Sequence, residues 1–147
     1  MSIGRLLVAL IVGFLVVQIV VMVTNVLGGV IFDSLPDPQT NMIPAEANTP
    51  GMCMWNIAWY LPACAVGAFV ATRIGRAKPW WPVLGMAGLI VLIGVLYAVF
   101  APPMYREMGA DVPGWYLPLL PVTGTIGVLL GGWSGVRFSG RDSSRGR

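Results

Sequence analysis

The stretch "LLVALIVGFLVVQIVVMVTNVLGGV", Leu6–Val30, decides the fold of this chain. It holds no charged residue, and only Gln18, Thr24 and Asn25 interrupt it with polar side chains. An α-helix rises about 1.5 Å per residue, so about 20 apolar residues cross the roughly 30 Å hydrocarbon core of a bilayer. The run exceeds that requirement. It is also much longer than the about 7 to 15 apolar residues of a secretion signal. Met1–Arg5 provides a short basic start, but no A-x-A-like cleavage site follows before the Pro-rich stretch at Leu35. The first run is therefore expected to be a retained anchor.

Moving outward from it, three more apolar blocks meet the same length test, from Met52 to Thr72, Val83 to Phe100 and Tyr116 to Val136. Of 147 residues, 56% are hydrophobic and only 10% charged, a balance that a water-soluble domain of this size would not have. The sequence predicts an all-α integral membrane four-helix bundle. Its spans are 6–30, 52–72, 83–100 and 116–136, its outer loops 31–51 and 101–115, its inner loop 73–82 and its basic cytoplasmic tail 137–147.

If all four blocks span, the connecting segments alternate sides and the charges can be sorted. One side collects Arg5, Arg73, Arg76, Lys78, Arg137, Arg141, Arg145 and Arg147 against Asp142. The other collects Asp33, Asp37, Glu46, Glu107 and Asp111 against Arg106. Cations accumulate on the cytoplasmic side, so both termini are expected there, in a bacterial inner membrane. Topology and anionic lipid account for the net charge of +3, and no nucleic-acid partner is expected. The tail "RFSGRDSSRGR" is expected to be disordered and lipid-associated.

Trp and Tyr favour the headgroup level, where an apolar ring and a polar tip are both accommodated. Trp55, Tyr97, Trp115 and Tyr116 are expected to mark the outer level, and Trp80, Trp81 and Trp133 the inner one. Trp59 and Tyr60 lie about two turns inside the second span, which suits packing between helices or a shallow outer cavity.

Ala63, Gly67 and Ala71 recur every four residues in the second span, and Gly127, Gly131 and Gly135 do so in the fourth. The offset between the two ladders is 64 positions, and Arg73 and Arg137 follow at the same offset. Residues four apart share a helix face, so small ones form a groove along which another backbone can approach. Lipid tails are as apolar as leucine, which leaves close packing to hold inserted helices together. The second and fourth spans are expected to make the tightest contact of the bundle, and the echo suggests two helix hairpins arranged as a parallel repeat. Pro62 predicts a bend in the second span.

Few residues of this chain are of types that carry chemistry. The chain has no histidine, which excludes His-ligated haem, His-dependent zinc and Ser-His catalysis. Cys53 and Cys64 lie about 16 Å apart along one helix, too far for a mutual disulfide and too few for a cluster. No Asp, Glu, Lys or Arg falls within a span, which argues against a proton relay. Gln18, Asn25, Asn56 and Thr123 remain as a polar pathway or as interhelical hydrogen-bond partners, and Asn25 is placed to meet Asn56 across the first two spans. Together with Trp59 and Tyr60 that pair is the best place for a small ligand. Asp33 and Asp37 in the acidic, Pro-rich outer loop do not form a recognised metal pattern. No cofactor is expected.

The segments "LVALIVGFLVV" (Leu7–Val17), "GAFVATRIGR" (Gly67–Arg76) and "GWYLPLLPVTGTIGVLLGGW" (Gly114–Trp133) resemble those of small, uncharacterised four-span bacterial inner-membrane proteins. The resemblance implies the fold and no catalytic residue. In span count the chain also resembles small multidrug transporters, but the Glu that those carry in their first span has no counterpart here. The expectation is a non-enzymatic accessory or structural subunit that binds lipid and assembles with copies of itself or with a larger membrane complex. The alternative is a small passive channel or carrier lined by uncharged polar residues.

Overall fold

The computed structural model describes residues 2–32, 49–75, 80–107 and 113–142. Four helices follow one another: α1 (Ile3–Ile31), α2 (Pro50–Gly75), α3 (Trp80–Glu107) and α4 (Tyr116–Asp142). All four are long and apolar enough to cross a membrane. Among the described residues there is no strand.

Local sequence explains where the helices begin. Thr49 caps α2, its Oγ1 accepting from the Met52 N–H at 3.3 Å, and Pro50 takes the first helical position, where a missing N–H costs nothing. The Tyr116 N–H donates to the Pro113 carbonyl at 2.9 Å, which turns the chain into α4. The helices outrun the predicted spans, because hydropathy marks the part of a helix that suits lipid and not the point where backbone hydrogen bonding stops. Thus α3 continues through residues 101–107, expected as loop, and α4 through residues 137–142, expected as the start of a disordered tail. Expectations for the outer-loop residues 33–48 and 108–112, with Asp33, Asp37, Glu46 and Asp111, lie outside the described residues, as do those for Arg76, Lys78 and residues 143–147.

α2 lies at the centre. Its contact with α4 is the most extensive of the bundle, α1 packs beside α2, α3 packs beside α4, and α1 touches α3 only lightly and α4 least. The core is built of small and medium side chains: Val17, Ala63, Cys64, Ala68, Ala71, Val83, Met86, Ile90 and Val128 are buried together. The outside is apolar. On α1, Ile19, Met22, Val23, Val26 and Leu27 are each more than half exposed, a continuous face that water would penalise and hydrocarbon would not.

The two glycine ladders do not face one another. A Cβ added at Gly131 would fall on the Ala65 carbonyl, one at Gly127 on the Leu61 carbonyl, and one at Gly135 on the Thr72 hydroxyl, so the α4 ladder runs along a Leu61–Ala65–Thr72 stripe of α2. Gly67 instead meets α1, where an added Cβ would stand 2.6 Å from the Gly13 carbonyl oxygen. Helical geometry gives the reason. Residues two apart, such as Ala65 and Gly67, point about 200° from each other, so α2 offers one small face to α4 and another to α1. The facing ladder on α1 is Ala9, Gly13 and Val17, all buried at the same four-residue interval.

Candidate functional site

Gln18, Thr24 and Asn25 of α1 and Asn56 of α2 collect in one place. α1 and α3 meet near the end that carries Arg5: a Cβ at Gly85 would lie 2.9 Å from the Leu10 side chain, and one at Gly13 would lie 2.8 Å from the Met86 sulfur. Towards the opposite end α3 leans onto α4. Gly94 receives the ring of Pro121, and Gly124 receives Ile90 and Tyr60, each against a missing side chain. Among the described residues no glycine contact of this kind joins α1 to α3 at that level, and the seam between them opens into a groove of about 310 Å³.

Gln18, Val21, Thr24 and Asn25 of α1 form one wall of the groove, and Ile93, Gly94 and Tyr97 of α3 form the other. Its floor comes from the two central helices, with Asn56 and Tyr60 of α2 and Tyr116, Leu117, Leu120 and Pro121 of α4. Gln18, Asn25, Ile93 and Tyr97 are exposed, whereas Asn56 and Tyr60 are partly buried and Tyr116 is 9% exposed, so the mouth lies between α1 and α3 and the floor is sheltered. None of these lining residues carries a charge.

Hydrogen bonding fixes the floor and part of one wall. Asn56 Nδ2 donates to the Tyr116 hydroxyl at 3.3 Å. Asn56 Oδ1 is buried with no partner among the described residues. Thr24 turns its hydroxyl back onto the Val20 and Val21 carbonyls at 3.0 Å each, the usual way for a Thr in an apolar helix to satisfy itself. Its own carbonyl accepts from Trp55 Nε1 at 2.9 Å, and the Trp55 ring lies against Gly28, which fastens α1 to α2 just beyond the groove.

Of the expected pathway residues, Gln18, Asn25 and Asn56 are brought together in this groove, although the Asn56 amide bonds Tyr116 and not Asn25. Thr123 is not part of it. Its hydroxyl donates within α4, to the Leu119 and Leu120 carbonyls at 2.7 and 3.1 Å. Tyr60 lines the floor, while Trp59 packs against Trp55 at 5.7 Å between ring centroids. Tyr116, the first residue of α4, turns its ring inward and is 9% exposed. Trp80, Trp81, Trp115 and Trp133 are all at least 40% exposed, and Trp55 is partly buried. Arg137 lies over the Trp133 ring at 3.9 Å, and Arg5 Nε donates to the Ile74 carbonyl near the end of α2 at 2.9 Å. Both contacts suit cations held at an interface.

Sequence reasoning missed the inward turn of Tyr116 and the parts played by Tyr97 and Pro121. No motif marks these residues; the one available signal was that Tyr116 and Pro121 belong to a helix whose glycines already implied close packing. Among the described residues no three His, Cys, Asp or Glu side chains stand together as metal ligands. No family model matches the chain, and neither a curated protein nor a solved structure does.

Proposed function

We propose that this protein is a multi-pass bacterial inner-membrane protein with both termini in the cytoplasm, acting as a non-enzymatic accessory subunit. The observation that carries this reading is the division of labour within α1. One narrow stripe, Ala9, Gly13, Val17, Thr24, Gly28 and Gly29, is buried against the bundle, while the remaining apolar surface of this helix faces outward. Such a helix is firmly seated and still offers a long apolar face to lipid, to equivalent copies or to a larger complex. The position of α2 and α4 at the centre, each flanked by the other helix of its own hairpin, agrees with a parallel repeat of two hairpins, although the unlike partners of Gly67 and Gly131 mean that the repeat does not extend to the ladders. The test is purification from native membranes in mild detergent, followed by mass spectrometry of what accompanies the chain. A stoichiometric partner or a defined homo-oligomer is expected, and a chain recovered only as a monomer overturns the accessory role.

The convergence of Gln18, Asn25 and Asn56 favours a second reading, a passive carrier of small neutral solutes. Solute flux in liposomes that disappears with Gln18→Leu would support it. The packing of Gly13 against Gly67 and Met86 at the Arg5 end of the groove speaks against a continuous pore.

A further inference from the structure

We infer that the groove between α1 and α3 is a lateral binding site for a neutral lipid that carries a free hydroxyl, with the headgroup on Asn56 and the tail leaving through the α1–α3 seam. The polar floor sets the headgroup chemistry. Asn56 gives one Nδ2 proton to the Tyr116 hydroxyl, and its buried Oδ1 acceptor needs a donor that no described residue provides. A buried acceptor left without a donor is costly, and an O–H from a ligand would remove that cost.

Charge excludes the commoner headgroups. Among the described residues lining the groove there is neither a cation nor a carboxylate, so a phosphate or an ammonium group would lose its hydration there and gain no counter-charge from them. A hydroxyl loses far less. On the rim, the amides of Gln18 and Asn25 can both donate and accept, which suits the ester, ether or second hydroxyl oxygens that neutral lipids carry near the head.

The walls and the size set the remainder. Val21, Ile93, Leu117 and Leu120 give the groove apolar sides, and the exposed positions of Ile93 and Gln18 put its mouth where acyl or isoprenoid chains would surround the helices. A volume of about 310 Å³ stands at the lower end for ligand pockets, enough for a headgroup and the first carbons of a tail but not for a whole lipid. The ligand therefore enters sideways and stays partly in the bilayer. Diacylglycerol-type and isoprenoid alcohols share this chemistry.

The test uses the full chain in nanodiscs of dioleoylphosphatidylcholine doped separately with dioleoylglycerol, geranylgeraniol, dioleoyl-acetylglycerol or dioleoylphosphatidic acid, with bound lipid read by native mass spectrometry. Retention of either alcohol over the acetylated and phosphorylated analogues is expected, and which of the two is retained identifies the source. Asn56→Leu should weaken that retention about tenfold, in line with loss of one buried hydrogen bond. Ile93→Trp, at the exposed rim and away from the core, should block entry while leaving thermal stability in detergent unchanged. The inference is overturned if neither alcohol is retained, if the acetylated or phosphorylated lipid binds as well as the alcohols, or if Asn56→Leu, folded and as stable as the parent, holds the alcohol equally well.

Discussion

Gly13 and Gly67 meet backbone to backbone: a Cβ on Gly13 would lie 2.9 Å from the Gly67 carbonyl oxygen, and one on Gly67 would lie 2.6 Å from that of Gly13. The contact works in both directions because each helix presents a carbonyl where the other lacks a side chain. Gly67→Leu should therefore push α1 away from α2, and Gly131→Leu should separately push α4 away from the opposite face. Each substitution should cost about 1–3 kcal/mol or more as overpacking. Since the two act on different interfaces, their costs should add to within about 0.5 kcal/mol in a double-mutant cycle measured by unfolding in detergent. Strong coupling would mean that the ladders share one interface after all.

Small residues matter here by position and not by type. Gly131→Ala places its new methyl on the Ala65 carbonyl and should destabilise, whereas Gly88, with nothing within 4 Å of an added Cβ, should accept Ala and gain about 0.4–1 kcal/mol from reduced backbone freedom in the unfolded chain. A pair of melting curves in the same detergent decides it. If both variants shift the midpoint in the same direction, the close approach of α2 and α4 is not what holds the bundle.

Trp55 fastens α1 to α2 through one hydrogen bond, from its Nε1 to the Thr24 carbonyl. Trp55→Phe keeps a ring against Gly28 and removes the donor. Interhelical hydrogen bonds in membranes are worth about 0.6 kcal/mol on average and up to about 1.7. A loss of that size is expected in chemical unfolding. A loss several times larger would mean that ring shape, not the donor, fixes the two helices.

Orientation can be read by labelling. A cysteine placed in the C-terminal segment after residue 142, in a Cys53→Ser, Cys64→Ser background, should stay unmodified by an impermeant maleimide in intact spheroplasts and react once the membrane is permeabilised. Modification in intact spheroplasts would invert the arrangement, with Arg5, Arg73 and Arg137 outside.

Much of the architecture could be read directly from the chain. The run at Leu6–Val30 and its three counterparts gave four membrane-length helices, because hydrophobicity over such a length has few other uses. The close pairing of α2 with α4 was also legible in Gly127, Gly131 and Gly135, since glycines at one helical interval imply a close neighbour. Gln18, Asn25 and Asn56 stood out because polar side chains in apolar helices need partners. Their meeting place was not legible, because it depends on which helix faces which and on how far apart two helices diverge.

By itself, then, the sequence determined the number of helices, their approximate reach and the segregation of basic from acidic connections, all of which follow from transfer of whole segments between water and hydrocarbon. The tertiary structure alone decided that Gly67 serves α1 while Gly131 serves α2, that Tyr116 turns inward to Asn56, and that α1 and α3 part to leave a groove. The reason is physical: hydrophobicity places a helix in the bilayer without regard to its rotation, and only close packing between particular side chains fixes which way each helix turns.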